Sequence, residues 1–254
     1  MLYEGDCLEI MPILPDKSID MILCDLPYGT TSCKWDIVIP FESLWKEYKR
    51  LIRDNGAIVL MAGQPFTSAL VMSNLSWFRY HWIWQKTEAT GHLNAKKMPM
   101  KAHEEIVVFY KKLPTYNPQK TTGHVLKTAT ADRERKMSEV YGTQKGITKY
   151  SSTERYPRSV ITFSTDKQHS TLHPTQKPVA LFEYLILTYT NEGDLVMDNA
   201  AGSGTAGVAC IKTKRRCIMI ENDSGYCDII KRRMEQEGLW KQQQGKKGCL
   251  KRGN

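Results

Sequence analysis

No two cysteines in this chain stand in a C-x-x-C arrangement, and the total of seven is odd. Several, among them Cys24 and Cys210, sit in apolar runs, where a reduced thiol behaves as a small hydrophobe. A zinc site and a disulfide framework are therefore not expected, and a reducing, cytoplasmic setting is. No uninterrupted apolar run reaches the length of a membrane span. Glu4, Asp6 and Glu9 give the start of the chain the wrong charge for a secretory leader. His92, His103, His169 and His173 lack the spacing of metal ligands. No internal repeat is present.

Positive charge is in excess, with 36 Lys and Arg against 27 Asp and Glu and a net charge of +9. That balance suits a polyanionic partner or an anionic membrane surface, or else a solvated basic face with no partner. The excess is uneven. Between Lys112 and Leu172, eleven basic residues oppose five acids, a net of +6. The same stretch is poor in apolar residues and carries Tyr116, Tyr141, Tyr150, Tyr156 and Phe163. It is too long for a plain loop. It reads as a disordered insert or as an arm that orders on a partner.

Elsewhere strand-like and helix-like patterns alternate, as expected of an α/β domain. Residues 19–24 and Ala57–Ala62 read as buried strands, with a helix over Phe41–Arg53 between them and Asn55-Gly56 as its C-cap. A helix runs from Pro65 to about Asn74, and Phe78–Trp84 and Glu105–Tyr110 read as strands. The Trp77–Trp84 run fits a buried strand better than a base-stacking platform. Lys96, Lys97 and Lys101 in the following loop suit phosphate contact or plain solvation. After Pro178 come a helix over Val179–Thr190, a strand Leu195–Asp198, a helix Ser203–Thr213, a strand Cys217–Ile220 and a helix Asp223–Glu237. The tail from Lys241 is rich in Gln and Lys and expected to fray.

Two turns stand at strand ends, where ligands collect in an open α/β sheet. The first is Ala200-Ala201-Gly202-Ser203-Gly204, after Asp198. Glycines there let backbone N–H groups approach a ligand. Glu221 ends the next strand, where a carboxylate can accept both ribose hydroxyls of an adenosine. No Gly-Lys-Ser/Thr follows, so this is not a Walker loop, and the third glycine of a dinucleotide fingerprint is missing. A nucleoside without phosphates, such as S-adenosylmethionine, fits better than NAD.

The second turn is Asp25-Leu26-Pro27-Tyr28. Methylating an exocyclic amine requires its delocalised lone pair to become more localised. Two acceptors aimed at the amino hydrogens favour that geometry and stabilise charge developing on nitrogen. The Asp25 carboxylate and the Leu26 carbonyl, held by Pro27, can supply them, and Tyr28 can stack on the base. A base inside a duplex must first be flipped out. A cysteine nucleophile, as for methylation at carbon 5, would need a Pro-Cys pair, and none exists.

These residues resemble the β-class of S-adenosylmethionine-dependent DNA amino-methyltransferases, whose signature is usually Asp-Pro-Pro-Tyr. The similarity extends to Gly5-Asp6-Cys7-Leu8, to His173-Pro174-Thr175-Gln176-Lys177-Pro178, to Asp198 through Gly204 and to Glu221-Asn222-Asp223. It implies a permuted, doubly wound, mostly parallel class I methyltransferase fold. Residues 1–111 would form the catalytic half, 112–172 an inserted target recognition region, 173–240 the cofactor half and 241–254 a basic tail. Asp6 would lie near the cofactor adenine and Glu221 with Asn222 at the ribose. Asp198, Gly202 and Gly204 would shape the methionine side, Ala200 and Ser203 would belong to the same cofactor site, and Lys177 would pair with the cofactor carboxylate. The implied partner is double-stranded DNA. A homodimer and a restriction endonuclease of the same system are also compatible with the family, in bacteria or phage-infected cells. Adenine N6 is the implied target, with cytosine N4 as the rival, RNA a more distant one, and a nucleic-acid-binding module without catalysis as a different class of answer.

Two departures stand out. Leu26 replaces the first proline of the signature, which leaves the carbonyl in place. Asn199-Ala200 replaces the usual Pro-Phe, which leaves a gap beside the cofactor and implies weaker binding or a neighbouring side chain in the hole.

Overall fold

Every residue from Met21 to Cys24 is buried, and this strand, β2 (Ile19–Cys24), lies inside an eight-stranded sheet. The computed structural model describes residues 1–31, 33, 36–132, 147–164 and 176–237; His173-Pro174-Thr175 and the basic tail lie outside the described residues. The other strands of the sheet are β1 (Leu2–Glu4), β3 (Ile52–Ala62), β4 (Phe78–Thr90), β5 (Lys101–Phe109), β8 (Val160–Phe163), β9 (Leu195–Asp198) and β10 (Arg216–Glu221). Their order is β1-β10-β9-β2-β3-β5-β4-β8. The first five run parallel, β5 runs antiparallel to β3 and to β4, and β8 is parallel to β4.

Alternate residues of each central strand feed two cores, as a strand buried on both faces requires. Ile22, Cys24, Ile58 and Leu60 pack with Leu44, Tyr48 and Leu51 of α2 (Phe41–Leu51) and with Phe66 and Leu70 of α3 (Phe66–Ser73). Met21, Leu23, Val59 and Met61 pack with Leu181, Phe182 and Leu185 of α4 (Val179–Tyr189) and with Ala206 and Ala209 of α5 (Thr205–Lys212). A smaller cluster joins Val208 and Met219 to Ile230 and Met234 of α6 (Ser224–Gln236). The short α1 (Cys7–Ile10) follows β1 and is capped by Asp6, whose carboxylate accepts from the Leu8 N–H at 2.8 Å.

From β9 the chain crosses through α5 to β10 on one side; from β2 it crosses through α2 to β3 on the other. The switch point therefore lies between β9 and β2, paired through Met21↔Val196 and Ile22↔Met197. A crevice opens at the carboxyl ends of such strands.

The expected C-cap at Asn55-Gly56 is corrected. The helix ends at Leu51, and both residues lie inside β3. Gly56 is needed for close approach at an irregularity in the β2–β3 register between Ile19 and Met21. A Cβ there would stand 2.7 Å from the Asp20 carbonyl oxygen and 2.8 Å from the Ile52 side chain. Strands β4 and β5 are longer than their apolar cores suggested, extending to Thr90 and back to Lys101.

A second compact unit spans Pro118–Arg158. Its strands β6 (Lys127–Asp132) and β7 (Ile147–Ser152) pair antiparallel, and Thr121 bridges Arg155. The Arg155 guanidinium donates to the carbonyls of Ser152, Glu154 and Val125. This unit is narrower than the expected recognition region 112–172, because β8 belongs to the large sheet.

Gly56→Ala is expected to lower stability by about 1–3 kcal/mol through overpacking against backbone. Urea unfolding checks this, and an unchanged midpoint would contradict the close approach.

Candidate active site

A cavity of about 790 Å³ opens at the switch point, lined from both strand ends. Twelve of the thirteen expected site residues line it: Asp25, Leu26, Pro27 and Tyr28 from one turn, and Asp6, Lys177, Asp198, Ala200, Gly202, Ser203, Glu221 and Asn222 from the other side. The exception is Gly204. It is the N-cap of α5 at φ +82°, and a Cβ there would meet Ile230 at 3.0 Å, so its part is to form the bend.

The glycine bend is held from beneath. Glu221 accepts from the Gly202 N–H at 2.7 Å through one carboxylate oxygen and from the Asp223 N–H at 2.9 Å through the other. Each oxygen retains lone-pair capacity for a further donor. Arg233 of α6 donates to the Ser203 carbonyl at 2.6 Å and to its hydroxyl at 3.0 Å. Asp198 is buried and accepts from the Ala200 N–H at 3.2 Å. Burial, with Asp25 and Glu221 nearby, pushes its carboxyl up to about 7 despite the donors from Cys24 and Ala200. Burial also raises Glu221.

Asn199, one of the two departures, faces inward. Its side-chain oxygen accepts from the buried Tyr48 hydroxyl at 2.5 Å, and its side chain also meets the Cys7 thiol. Ala200 shares the cavity wall with Ile39 and Tyr226.

The Asp25 turn is more tightly tied than expected. One carboxylate oxygen accepts from the Tyr28 hydroxyl at 2.9 Å and the other from Lys177 Nζ at 2.7 Å. The ring of Tyr28 stacks on Phe66 with centroids 5.0 Å apart, so one face is already covered. Burial, with Asp25 and Glu104 beside it, keeps the phenol protonated as a donor. Lys177 thus sits against Asp25, where the resemblance had implied the cofactor carboxylate. Its other neighbour is Glu104 at 3.4 Å, and Glu104 lies 2.5 Å from Lys86. Asp25, Lys177, Glu104 and Lys86 form a chain of alternating charge. Burial opposes the charge on Lys177, but Asp25 and Glu104 outweigh it and raise its pKa. Burial likewise opposes ionisation of Glu104, but Lys177 and Lys86 hold its carboxyl below the usual range.

Sequence reasoning missed Lys86, Glu104 and Asp36. The first two meet because β4 pairs with β5 through Trp84↔Glu104, which puts Lys86, two residues on, over the same face. Asp36 accepts from the N–H groups of Gly29, Thr30 and Thr31 at 2.8, 2.9 and 2.7 Å. These bonds tie Gly29, Thr30 and Thr31 to Asp36, and Ile37 through Pro40, which follow it, line the cavity. A Gly-Thr-Thr followed by an aspartate was the available signal.

The two ends of the cavity differ in charge. Asp6, Asp198, Glu221 and Asp223 line the end built by β1, β9 and β10, whereas at the end toward β4 and β5 Lys86 and Lys177 are paired with Glu104 and Asp25, beside Lys101. The carboxyl of Asp198 is favoured neutral in the fold, so its stabilising share is complete below pH 3.8 and fades as pH rises through about 7. Asp198→Asn is expected to gain on the native chain across that window by up to about 4 kcal/mol. Urea unfolding at pH 5 and pH 8 reads the difference, and a constant offset would contradict it.

The sequence model of a family described as DNA methylase matches residues 19–232. The chain is 27% identical over 249 residues to the Type II methyltransferase M.HpaI of Haemophilus parainfluenzae, covering 93% of this chain and 74% of that protein. It is 28% identical over 254 residues to the DNA adenine methyltransferase YhdJ of Escherichia coli strain K12, covering 92% and 82%. The solved M1.HpyAVI–SAM complex shares the fold, with a TM-score of 0.64 at 23% identity over 92% of this chain and 98% of that one. With two strand-end turns meeting in one cavity and the family match running across nearly all of it, this chain belongs to the N6/N4 DNA methylase family.

Proposed function

We propose that the chain methylates the N6 amino group of adenine in double-stranded DNA, using S-adenosylmethionine, at a specific site. The observation that carries this reading is the meeting of the Asp25 turn and the glycine bend in one cavity. The donor set supports the cofactor. Four carboxylates at one end would repel phosphates and accept an ammonium, a sulfonium and ribose hydroxyls. Asp198, raised to about 7, gains from a cation beside it. Glu221 has acceptor capacity for the ribose, and Asp6 and Asn222 flank it on the cavity wall. Ile37, Ile39 and Tyr226 offer an apolar wall to the adenine. When bound, S-adenosylmethionine supplies an electrophilic methyl group.

The chain's own residues prepare the other partner. Asp25 and the Leu26 carbonyl accept from the two amino hydrogens of the flipped base. This draws the nitrogen lone pair out of the ring and stabilises positive charge on nitrogen as it develops. Tyr28 and Lys177 fix the Asp25 carboxylate by donating to one oxygen each. Glu104 and Lys86 hold Lys177 in turn, acting as positioning residues. Neither acceptor need be a strong base, since the proton leaves after transfer.

Adenine is favoured by the name of the Escherichia coli relative and by Asp and Tyr in the signature turn. Incubation of unmodified DNA with labelled S-adenosylmethionine, followed by digestion to nucleosides, tests the reading. Label is expected in N6-methyldeoxyadenosine. Label in N4-methyldeoxycytidine would replace the target, and none at all would leave a binding module. Sequencing the product maps the site.

Asp25→Ala is expected to lower kcat by about 10²–10³-fold with cofactor affinity retained by calorimetry. Glu104→Gln is expected to lower kcat by about tenfold, a loss of about 1.4 kcal/mol, with KM for DNA little changed. Unchanged turnover in either variant would remove the role assigned to it.

A further inference from the structure

The loop from Gly91 to Met100, between β4 and β5, has no part in the chemistry above, yet it carries three large apolar side chains into solvent. Leu93 is 89% exposed, Met98 56% and Met100 40%. Three such side chains within eight residues are more than the single scattered ones a surface ordinarily carries. The loop is not loose chain. Asn94 donates to the Gly91 carbonyl at 2.9 Å, and the Asn94 carbonyl accepts from Lys97 at 2.8 Å and from Met98 at 3.0 Å. It is a compact double turn with Leu93 and Met98 displayed on it.

Its place in the fold is defined. β4 runs parallel with β3 and β2 by way of two antiparallel pairings, so it ends at the same sheet edge as Asp25 and Asp198. Thr90 and Lys101, the residues that flank the loop, both line the cavity. The loop therefore stands at the cavity's rim, next to Lys101. It contains Lys96, Lys97 and, at its end, Lys101, and no acid lies between Glu88 and Glu104. Among the described residues none of these three lysines has an ion-pair partner.

An apolar tip flanked by cations, next to the pocket that would receive a flipped base, fits one partner: a base step of duplex DNA. We propose that Leu93 and Met98 enter the duplex beside the target nucleotide and take up the stacking surface it vacates, while Lys96 and Lys97 pair with flanking phosphates. This deepens the methyltransferase reading and rests on it. Apolar wedges of this kind offset part of the cost of unstacking in proteins that distort DNA. Phosphate contacts give affinity without adding sequence information.

The test uses the full chain and duplexes carrying the site that the wild type selects by binding from random-sequence duplexes. One has the target base paired, and one has it opposite an abasic position, where extrusion is already cheap. For Leu93→Ala/Met98→Ala, kcat/KM is expected to fall about tenfold or more on the paired duplex and less than about twofold on the abasic one. Equal losses on both, or none on either, would overturn the wedge. Lys96→Gln/Lys97→Gln is expected to weaken binding to both duplexes alike and to reduce the slope of log affinity against log salt by about 2; an unchanged slope would overturn the phosphate contacts. Fluorescence of 2-aminopurine at the target position reads base extrusion without catalysis. A wild type that raises this signal, a wedge variant that does not, and no methyl transfer by either to the matching duplex with adenine at that position would uphold the wedge and defeat the methyltransferase reading. A signal equally strong in wild type and variant would overturn the wedge while leaving that reading intact.

Discussion

The parallel pairing of β9 with β2 is the constraint on which the rest of the molecule depends. Each strand ends in a turn that is chemically useless alone: one is a glycine bend over an acid, the other a carboxylate beside a tyrosine. Placed side by side, with their crossovers leaving in opposite directions, they face one crevice. The two hydrophobic cores serve that placement. Alternate residues of β2 and β3 are anchored to α2 and α3 on one side and to α4 and α5 on the other, so the strand ends cannot shift without opening both cores.

Charge divides the work within the crevice. The end under the glycine bend gathers carboxylates, which suit a cationic nucleoside and exclude a phosphate-bearing one. The far end gathers lysines, but two of these are neutralised by Asp25 and Glu104. The Asp25 turn is thereby tied to an ion-pair chain that begins three strands away, at Lys86 of β4. Truncating one member of such a buried chain leaves an unmatched charge, which is why changes at Glu104 or Lys86 are expected to be felt at Asp25.

Much of this was legible in the residues, because strand and helix periodicity, the two turns and the acid that ends β10 are local signals. Asp6, expected as a site residue, lines the cavity while also capping α1. Asn55-Gly56 misled, since the same dipeptide serves a C-cap and a close backbone approach, and only the neighbouring Asp20 carbonyl decides between them. The Lys86–Glu104–Lys177 chain was not legible at all. It depends on the register of β4 against β5 and on a lysine more than seventy residues further along, which no local pattern encodes. The boundaries of the second unit were blurred for a related reason: β8 lies within a polar, basic stretch yet pairs with β4 of the large sheet.

The most direct test of the account is a crystal structure of the chain with S-adenosylhomocysteine. The adenosine is predicted to meet Glu221, the amino-acid portion to meet Asp198, and the sulfur to face Asp25 and the Leu26 carbonyl across the open crevice. A sulfur turned away from Asp25, or a nucleoside seated outside the glycine bend, would contradict the claim that the two turns serve one reaction.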